Sequence, residues 1–583
     1  MQLTRSQISR SLFLICMALW LGRAAEAAPP QPQDQPARRA AGDSTKGKPP
    51  ILPCWAFGHW VWEDEKNTRK ALEYIVNGYL DHNIPVGAVI IDSPWSTSYN
   101  DFIFDTEQYP DAQNMIDNLH QKGIKVLVFY TGCINRTSRD TKLNRCPSYR
   151  YIVDNNYAID ENRESRWWKG EGVHIDLTNP DAQKWWHTQL DKIHQMGVDG
   201  AKVDYALLMF GDTLQTSIGP LTNRDFGYYY FKDSFDYNTA RNNEFVMMTY
   251  ACRKVSESQI KGLIGFPSTA HVNWVGDFTG DWKGIQDQLE GIYASAEAGF
   301  SGLACEIGGY WQIPSTKEEF IRYTQLACFV PIMVNGGSFG ALKHHLPWNH
   351  DEETIDIYRQ FVKLHDELSY CLFSLAVDAH LNNSTIIRKP SFKTKSHWLG
   401  DQLFVKVITD STAPTKINLP DTNAWIDYWN TDKTYSAGTR MEKEYDLTAY
   451  PVFIRPGAII PIKQPEHPDR RTFRIYPHGT SEYRFHRPLG QGTDYEDIRI
   501  AVDENKGSIR IESPSESQFT LNIKCFAEPD NVSGAERWEY IKSQNLLKVE
   551  VAGKQANVKI NQLRGYSRKL NNELKEAPVA SSR

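Results

Sequence analysis

Four carboxyl residues stand at the ends of short apolar runs: Asp92 in GAVIIDSPW, Asp204 in DGAKVDYA, Asp277 in HVNWVGDF and Glu306 in GLACEI. If these runs are strands of one barrel, the four side chains converge on one mouth. Carboxylates that share a partly dry cleft raise each other's pKa, so such a cluster is costly unless it has a use. Two uses are common: binding a metal ion and cleaving a glycosidic bond.

The histidines and tryptophans favour the second use. A metal-dependent barrel hydrolase usually has histidines beside its carboxylates, but the run ends offer only His59, His271, His344 and His345. The first run does not end in His-x-His, and no CxxC pair suggests a structural zinc site. Of the 17 Trp residues, 12 lie between Trp55 and Trp348. Flat aromatic faces next to carboxylates suit sugar rings, although for any single Trp a role in barrel packing is the better interpretation.

These residues must be positioned by a scaffold of alternating strands and helices. Short apolar runs occur at 53–60, 87–95, 123–130, 199–206, 244–252, 271–278, 302–307 and 329–337. Between them, 68–83, 111–123 and 181–197 carry apolar residues three and four apart, as helices do. The third segment follows Asn179 and Pro180, an N-cap residue and a proline at the first helical position. Eight runs alternating with helices predict an α/β fold, a (β/α)8 TIM barrel over 51–374, whose active site lies at the carboxyl ends of the strands.

After about Ser374 the helical period gives way to alternating β-type segments. STIIRKP, QLFVKVI and YPVFIRPGAIIPI form one block, and FRIYPHG, DIRIAVDE, FTLNIKCF and LLKVEVAG belong to a second. We therefore expect a proximal β-sandwich over 375–466, a distal one over 467–566 and a frayed charged tail over 567–583.

The chain begins with the pattern of an export signal. Arg5 and Arg10 precede an apolar run from Leu12 to Leu21, and the small residues Ala25 and Ala27 follow. This order predicts a cleaved signal peptide over 1–27, since the run is too short to span a bilayer. The Pro- and Gln-rich segment 28–50 reads as a flexible linker. We expect a secreted or periplasmic protein with no membrane attachment after cleavage.

Composition and net charge limit the kinds of partner that the protein can bind. The 583 residues contain 40% hydrophobic residues, which predicts packed cores, and 65 Lys and Arg against 71 Asp and Glu give a net charge of −6. No basic excess is available to neutralise a nucleic-acid backbone. Among the cysteines that remain after signal cleavage, Cys133 and Cys146 are closest in sequence and form the expected disulfide. We expect most of the others to be buried free thiols.

Several motifs together resemble glycoside hydrolase family 31, the α-glucosidase and α-xylosidase family. The matching stretches cover about 52–461 in the family's order: VIIDSPW, WWKGEGVHIDLTNPDAQKWW, VDGAKVDYA, WVGDFTGDW, EIGGYW, HHLPW, WIDYWN and PVFIRPGAIIP. The resemblance implies a barrel that hydrolyses α-linked glycosides with retention and without cofactor. It also implies that Asp204 is the nucleophile and Asp277 the general acid/base.

The chemistry of retention requires one ionised carboxylate to attack the anomeric carbon and one protonated carboxyl to serve the leaving oxygen. We expect Lys202, two residues before Asp204 on the same strand face, to help keep Asp204 charged. Trp274, Phe278 and Trp282 would give Asp277 apolar surroundings that favour its protonated form.

The resemblance also implies substrate contacts. Asp92 is similar to the family carboxylate that binds a sugar hydroxyl. His345 is similar to the family histidine that contacts the bound ring, and His344 is the alternative residue for this role. Trp274 is either a wall of the pocket or a packed core residue. Glu306 stands where the family usually has the Asp of DIGG, and it is one methylene longer.

Some departures from the family pattern leave the function open. Tyr205, Ala206 and Leu207 follow Asp204 where a Glu is common, and no Arg precedes WVGD, although Arg253 could supply that charge. Only the linker stands where the family has an N-terminal β-sandwich. We expect a retaining exo-α-glycosidase acting on an oligosaccharide or glycoside, with α-glucosides favoured and α-xylosides or α-galactosides possible. The alternatives are a transglycosylase of the same mechanism, a carbohydrate-binding protein with a degenerate site and, least favoured, a metal-dependent hydrolase.

Overall fold

The structure of the chain is a computed structural model. The structure describes residues 47–64, 66–204, 210–250, 266–310, 313–338, 345–464, 466–467 and 469–570. The predicted signal peptide, most of the linker and residues 571–583 of the tail lie outside the described residues. So do Tyr205, Ala206, Leu207, Arg253 and His344.

The barrel half contains strands and helices in regular alternation. Its strands are β1 (His59–Glu63), β2 (Ala88–Ile91), β3 (Lys125–Tyr130), β4 (Cys133–Ser138), β5 (Ser165–Trp167), β6 (Gly170–His174), β7 (Gly200–Val203), β8 (Thr213–Thr216), β9 (Gly219–Thr222), β10 (Val246–Thr249), β11 (Val272–Asn273), β12 (Gly302–Ile307) and β13 (Ile332–Asn335). Its helices are α1 (Arg69–Asp81), α2 (Ala112–Gln121), α3 (Tyr149–Asp154), α4 (Pro180–Gln195), α5 (Asn223–Arg241), α6 (Trp282–Glu297), α7 (Lys317–Cys328) and α8 (Glu352–Asn382).

Eight of these strands close the predicted barrel. They follow the order β1, β2, β3, β7, β10, β11, β12 and β13, and β13 pairs back to β1. Every pairing in the ring is parallel. This confirms the (β/α)8 fold, and each predicted run contributes one strand.

Local signals place the helices where the sequence predicted them. Asn179 caps α4 by accepting from the backbone N–H of Asp181, and Pro180 occupies the first turn. Gly123 and Gly197, just beyond α2 and α4, adopt φ of +75° and +79°, the left-handed conformation that ends a helix before the next strand.

The first run differs from the expectation in its position. Cys54–Phe57 form a short 3₁₀ helix, and the strand starts only at His59. Apart from His59 the run is apolar, and all of it except Gly58 is buried, so composition alone does not distinguish the turn from the strand. The carboxyl end of β1 therefore lies at Glu63, three residues beyond the predicted end.

An insertion follows β3. Strands β4, β6 and β5 form a three-stranded antiparallel sheet, and β8 and β9 form a hairpin after β7. The sequence did not predict this sheet, because its strands are short and are separated by polar loops.

Helix α8 crosses the boundary predicted at Ser374 and ends only at Asn382, where Asn383 adopts φ of +49°. The β-rich part then comprises β14 (Ile387–Ser391), β15 (Ser396–Leu399), β16 (Leu403–Lys406), β17 (Thr415–Asn418), β18 (Trp425–Asp427), β19 (Thr434–Tyr435), β20 (Arg440–Lys443), β21 (Val452–Ile454), β22 (Ile459–Ile462), β23 (Arg470–Ile475), β24 (Thr480–Pro488), β25 (Tyr495–Asp503), β26 (Ser508–Glu512), β27 (Gln518–Lys524), β28 (Val532–Ser533), β29 (Arg537–Ile541), β30 (Leu546–Ala552) and β31 (Gln555–Ile560).

The β-rich part forms two layered units, as predicted. In the first, a six-stranded sheet (β14, β15, β16, β21, β18, β19) packs with the β17–β20 pair around Phe404, Ile417, Trp425 and Phe453. In the second, two five-stranded sheets enclose a separate apolar core. Strand β22 belongs to the second unit, although the sequence placed it in the first. Ser567 is the predicted start of a frayed tail, but its backbone N–H donates a hydrogen bond to Oε1 of Glu504 at 3.2 Å.

Cys133 and Cys146 are both free and buried, so the expected disulfide is wrong. Burial raises the pKa of the Cys146 thiol to about 11, and the pKa of Cys133 is raised as well. Free buried thiols are also found at Cys54, Cys305, Cys328, Cys371 and Cys525, as expected. Among the described helices, none combines the length and the apolar character that crossing a bilayer requires.

Candidate active site

Alternation along the barrel strands decides which side chains reach the interior. In β7, Ala201 and Val203 pack into the apolar cluster on the helix side, so Lys202 between them points inward. In β12, Cys305 and Ile307 belong to the same helix-side cluster, and Glu306 therefore shares the opposite face. Both charged side chains are thus directed into the barrel near the carboxyl ends of their strands.

The ammonium of Lys202 lies 2.8 Å from Oδ2 of Asp92, and the two side chains are only 3% and 4% exposed. The same ammonium lies 3.6 Å from the ring centroid of Trp62 and 4.3 Å from that of Trp274. Burial by itself lowers the pKa of this ammonium, but the charges of Asp92 and Glu306 outweigh burial and raise the pKa above its ordinary value. The structure pairs the Lys202 ammonium with Asp92, and the expectation that Lys202 also helps to keep Asp204 charged stays a prediction.

Glu306 is a buried carboxyl on the inward face of β12. Its side chain belongs to a residue that is 1% exposed, and neither oxygen has a hydrogen-bond partner among the described residues. Burial raises the pKa of Glu306 to about 8; Lys202 opposes the rise, and Asp277 and Asp92 add to it. The raised pKa favours the protonated form of Glu306 at neutral pH, in which the carboxyl can act as a hydrogen-bond donor.

Asp204 directly follows β7 and is buried. Its backbone N–H donates to the carbonyl of Tyr130 at 3.0 Å, and its carbonyl accepts from the Tyr230 hydroxyl at 3.1 Å. The hydroxyl of Tyr230 and the neighbouring strand β3 thus fix the backbone from which the predicted nucleophile projects.

Asp277 is half-buried and lies four residues beyond β11. Its charge contributes to the raised pKa of Lys202 and of Glu306, and also to that of the Tyr310 hydroxyl. The structure therefore brings Asp277 into one electrostatic cluster with Asp92, Lys202 and Glu306.

Trp274 is 4% exposed, and its ring stacks on Tyr250 with centroids 4.6 Å apart. The Lys202 ammonium also lies 4.3 Å from the centroid of this ring, so Trp274 is both packed and part of the charged cluster. Its indole N–H has no hydrogen-bond partner within the described part of the chain.

His345 is 5% exposed, and its carbonyl accepts from the Asn335 side chain at 2.9 Å. Two glycines make room for its ring. A Cβ at Gly337 would lie 2.5 Å from Cε1 of His345, and a Cβ at Gly308 would lie 3.2 Å from Nδ1. The Gly-Gly pairs after β12 and β13 therefore allow this histidine to approach the backbone of the strand ends.

His59 and His271, the other described histidines at run ends, have structural contacts. Nε2 of His59 lies 2.8 Å from the Tyr358 hydroxyl, and Nδ1 of His271 accepts from the backbone N–H of Met247. Among the described residues, no group of three or more His, Cys, Asp or Glu side chains is arranged to hold a metal ion.

Sequence reasoning missed Asp64, the residue directly after β1. The hydroxyl of Tyr310 donates to Oδ2 of Asp64 at 2.7 Å. Burial and the charge of Asp92 raise the pKa of Asp64 to about 6, although Lys169 and the Tyr310 hydrogen bond oppose the rise. Asp64 would have been found by the rule that identified Asp92, had the first strand not been predicted to end at Trp60.

Lys169 was also missed, because the sheet that carries it was not predicted. It lies between β5 and β6, and its ammonium donates to the Ser93 carbonyl at 3.2 Å and to Asp140 at 3.0 Å. The charges of Asp64, Asp140 and Asp92 raise the pKa of Lys169 against the effect of burial. The insertion after β3 therefore adds a cation to the edge of the site.

Comparisons with known proteins agree with this architecture. A family model described as the TIM-barrel domain of glycosyl hydrolases family 31 matches residues 49–375, and one for the family's C-terminal domain matches 386–460. A solved family 31 dextranase of Flavobacterium johnsoniae, complexed with glucose, superposes with a TM-score of 0.79 at 19% identity. The match covers 88% of this chain and 71% of that one.

Two curated relatives are similar along most of the chain. An alpha-xylosidase of Emericella nidulans is 22% identical over 520 residues, which is 84% of this chain and 61% of the relative. Alpha-glucosidase 2 of Bacillus thermoamyloliquefaciens is 23% identical over 526 residues, which is 82% of this chain and 63% of the relative. The chain thus spans about three fifths of the length of these relatives. Because the barrel model of the family matches more than half of its residues, the chain belongs to glycoside hydrolase family 31.

Proposed function

We propose that the protein is a retaining, exo-acting α-glycosidase that hydrolyses α-linked glucosides. The observation that carries the proposal is the charged cluster at the carboxyl ends of the barrel strands. There Asp92, Lys202, Glu306 and Asp277 act on one another, and the rings of Trp62 and Trp274 flank the ammonium. Carboxylates beside aromatic faces are suited to a ring that has apolar C–H faces and polar hydroxyls.

In the proposed mechanism, the Asp204 carboxylate attacks the anomeric carbon and forms a covalent glycosyl–enzyme ester. The bond to the leaving oxygen breaks, and Asp277 gives that oxygen its proton. Asp277, now ionised, takes a proton from an incoming water, whose oxygen displaces Asp204 from the sugar. Two displacements on the same carbon restore the original configuration.

The remaining residues of the cluster would position the sugar. The Lys202–Asp92 pair offers donors and acceptors to adjacent hydroxyls, and the protonated Glu306 offers one further donor. Supporting the α-glycoside class, the relatives above are named for α-xyloside and α-glucoside hydrolysis. We place α-glucosides first, with α-xylosides and α-galactosides as the next substrates to test.

The first experiment is a panel of nitrophenyl α-glycosides combined with two variants. We expect Asp204→Asn and Asp277→Asn each to lower turnover by about three orders of magnitude or more, because each removes a group that acts on the reacting atoms. Asp154→Asn, an exposed aspartate at the end of α3, is the matched control and should keep full activity. Near-normal turnover of either variant would refute the assignment.

The second experiment is proton NMR of the first product. Release of the α-anomer supports retention, and release of the β-anomer refutes it. Sugar products longer than the substrate at high maltose concentration would identify the transglycosylase alternative, and binding without any hydrolysis would identify the degenerate site.

We further propose that the protein is exported, on the strength of the charged, apolar and small-residue order at its start. Sequencing the N-terminus of the mature protein tests this. A mature chain that starts close after residue 27 supports export, and one that retains residue 1 contradicts it.

A further inference from the structure

We propose that the groove between helix α8, the first β-unit and the second β-unit is a second carbohydrate-binding site, separate from the barrel mouth. Two adjoining cavities form this groove, with volumes of about 460 Å³ and 560 Å³. Both are lined by Trp429, Thr431, Arg474 and Tyr476, so they are parts of one depression. Its size is in the range of ligand-binding clefts.

The groove lies towards the end of the barrel opposite the charged cluster. Tyr428, on its wall, packs edge-on against Phe329, with ring centroids 6.0 Å apart. Phe329 precedes β13, at the amino end of that strand, whereas the candidate active site is at the carboxyl ends. A ligand in the groove is therefore not a further sugar unit of a chain bound at the barrel mouth.

The aromatic lining is fixed in place. The indole N–H of Trp429 donates to the Tyr450 carbonyl at 2.6 Å, and its ring contacts Tyr428 and Phe361 edge-on. Tyr476 is 7% exposed. Rigid aromatic rings at the wall of a polar groove are suited to stacking against the C–H faces of sugars at little entropic cost.

Two cations in the wall of the groove are paired, which favours a neutral ligand there. Arg474 forms an ion pair with Glu367 of α8, and Lys524 forms one with Asp432 at 2.6 Å. The third cation of the lining, Lys363, is exposed on α8. Because Arg474 and Lys524 already have carboxylate partners, a phosphate or nucleotide would gain little from them. A neutral, hydroxyl-rich ligand can accept from the remaining N–H groups and donate to the carboxylates without displacing either pair.

Unused amides supply further hydrogen bonds. Residues Phe473, Leu521 and Ile523 point into the core of the second β-unit, so Arg474 and Asn522, which are register partners, share its outer face. Within the described part of the chain, the side-chain amides of Asn522 and Gln544 make no hydrogen bond, and both residues line the groove. An amide offers both a donor and an acceptor, as pairs of sugar hydroxyls require.

This site would hold an α-linked oligosaccharide of the kind that the proposed activity consumes, and to that extent it rests on the proposed function. The test is calorimetric titration of the full-length Asp204→Asn variant with maltotriose and isomaltotriose, so that substrate is not consumed. We expect two classes of binding site. Adding Asn522→Ala should weaken one class about three- to tenfold, the value of one to two hydrogen bonds, with an unchanged melting temperature.

Asn505→Ala is the matched control, since Asn505 is an exposed asparagine in the turn between β25 and β26 of the same β-unit. It should leave both classes unchanged. Trp429→Phe keeps an aromatic ring in the core contact and should also weaken the groove class. If the barrel site fails to bind, a single class that is sensitive to Asn522→Ala still supports the groove proposal while the proposed function fails.

Two results would overturn the proposal. One is binding that neither Asn522→Ala nor Trp429→Phe changes. The other is inorganic phosphate displacing the oligosaccharide from the Asn522-sensitive class, which would make the groove an anion site.

Discussion

Lys202 and Asp92 form an ion pair of 2.8 Å at the carboxyl end of the barrel, with both side chains almost fully buried. Two aromatic rings exclude water from the ammonium, and Asp277 adds negative charge near it. One lysine therefore compensates more than one carboxylate. The cluster can exist in a dry mouth because this cation is fixed at its centre.

Replacing Lys202 by Met should destabilise the fold by about 3–5 kcal/mol, because it leaves the Asp92 carboxylate buried without its partner. The urea midpoint of unfolding measures the effect. Lys184→Met is the control: Lys184 pairs with Asp181 on the surface and is 76% exposed, so its loss should cost less than about 1 kcal/mol. Equal midpoints for the two variants would contradict a central role for Lys202.

Glu306 should make the stability depend on pH. Its pKa is raised from 4.5 to about 8 in the folded protein. Between these two pH values the folded state therefore holds a proton that the unfolded state has lost. The stabilising contribution is fully present below pH 4.5 and is lost as the pH rises towards 8.

Glu306→Gln keeps the size and the neutral state of the side chain, so it should flatten the fall in stability between pH 5 and pH 8. Urea midpoints at pH 5, 6.5 and 8 measure this. Glu297→Gln, at an exposed position of α6, serves as the control and should leave the slope as in the unaltered protein. A slope that Glu306→Gln does not change would show that Glu306 is ionised in the folded state.

Gly337→Ala should disturb the site through His345. The new methyl group would lie 2.5 Å from Cε1 of His345 and 2.8 Å from the Gly309 carbonyl oxygen, closer than packed atoms approach. We expect a loss of stability of about 1–3 kcal/mol and reduced turnover on the best nitrophenyl glycoside. Gly490→Ala is the control, since a methyl group there meets no atom within 4 Å. Unchanged turnover in Gly337→Ala would show that the position of the imidazole has no effect on the reaction.

Cys133 and Cys146 should both be recovered as thiols. Unfolding the protein in denaturant with iodoacetamide and no reductant, followed by peptide mass spectrometry, should show each cysteine carrying its own alkyl group. In the native protein, burial and the raised thiol pKa values should make both unreactive. A disulfide-linked pair of peptides would contradict the structure.

Most of the fold could be predicted from the sequence, because each barrel strand and helix is indicated by a short-range pattern. Short apolar runs, helices with caps such as Asn179 and C-terminal glycines such as Gly197 each depend on neighbouring residues. These patterns gave a wrong strand boundary where a helical turn and a strand have the same apolar composition. The apolar segment from Cys54 to Trp60 contains both a 3₁₀ helix and the start of a strand.

The sequence by itself predicted seven of the eight strand ends closely enough to name Asp92, Asp204, Asp277 and Glu306 as candidates, with Lys202 as a neighbour of Asp204. Only the tertiary structure decided how they pair. Lys202 and Asp92 are 110 residues apart in the chain, and their ion pair depends on ring closure and on the inward side of each strand. The tertiary structure also places Asp64 and Lys169 at the site. Closure of the barrel sets the position of Asp64, and the sheet inserted after β3 sets that of Lys169, so neither could be read from spacing along the chain.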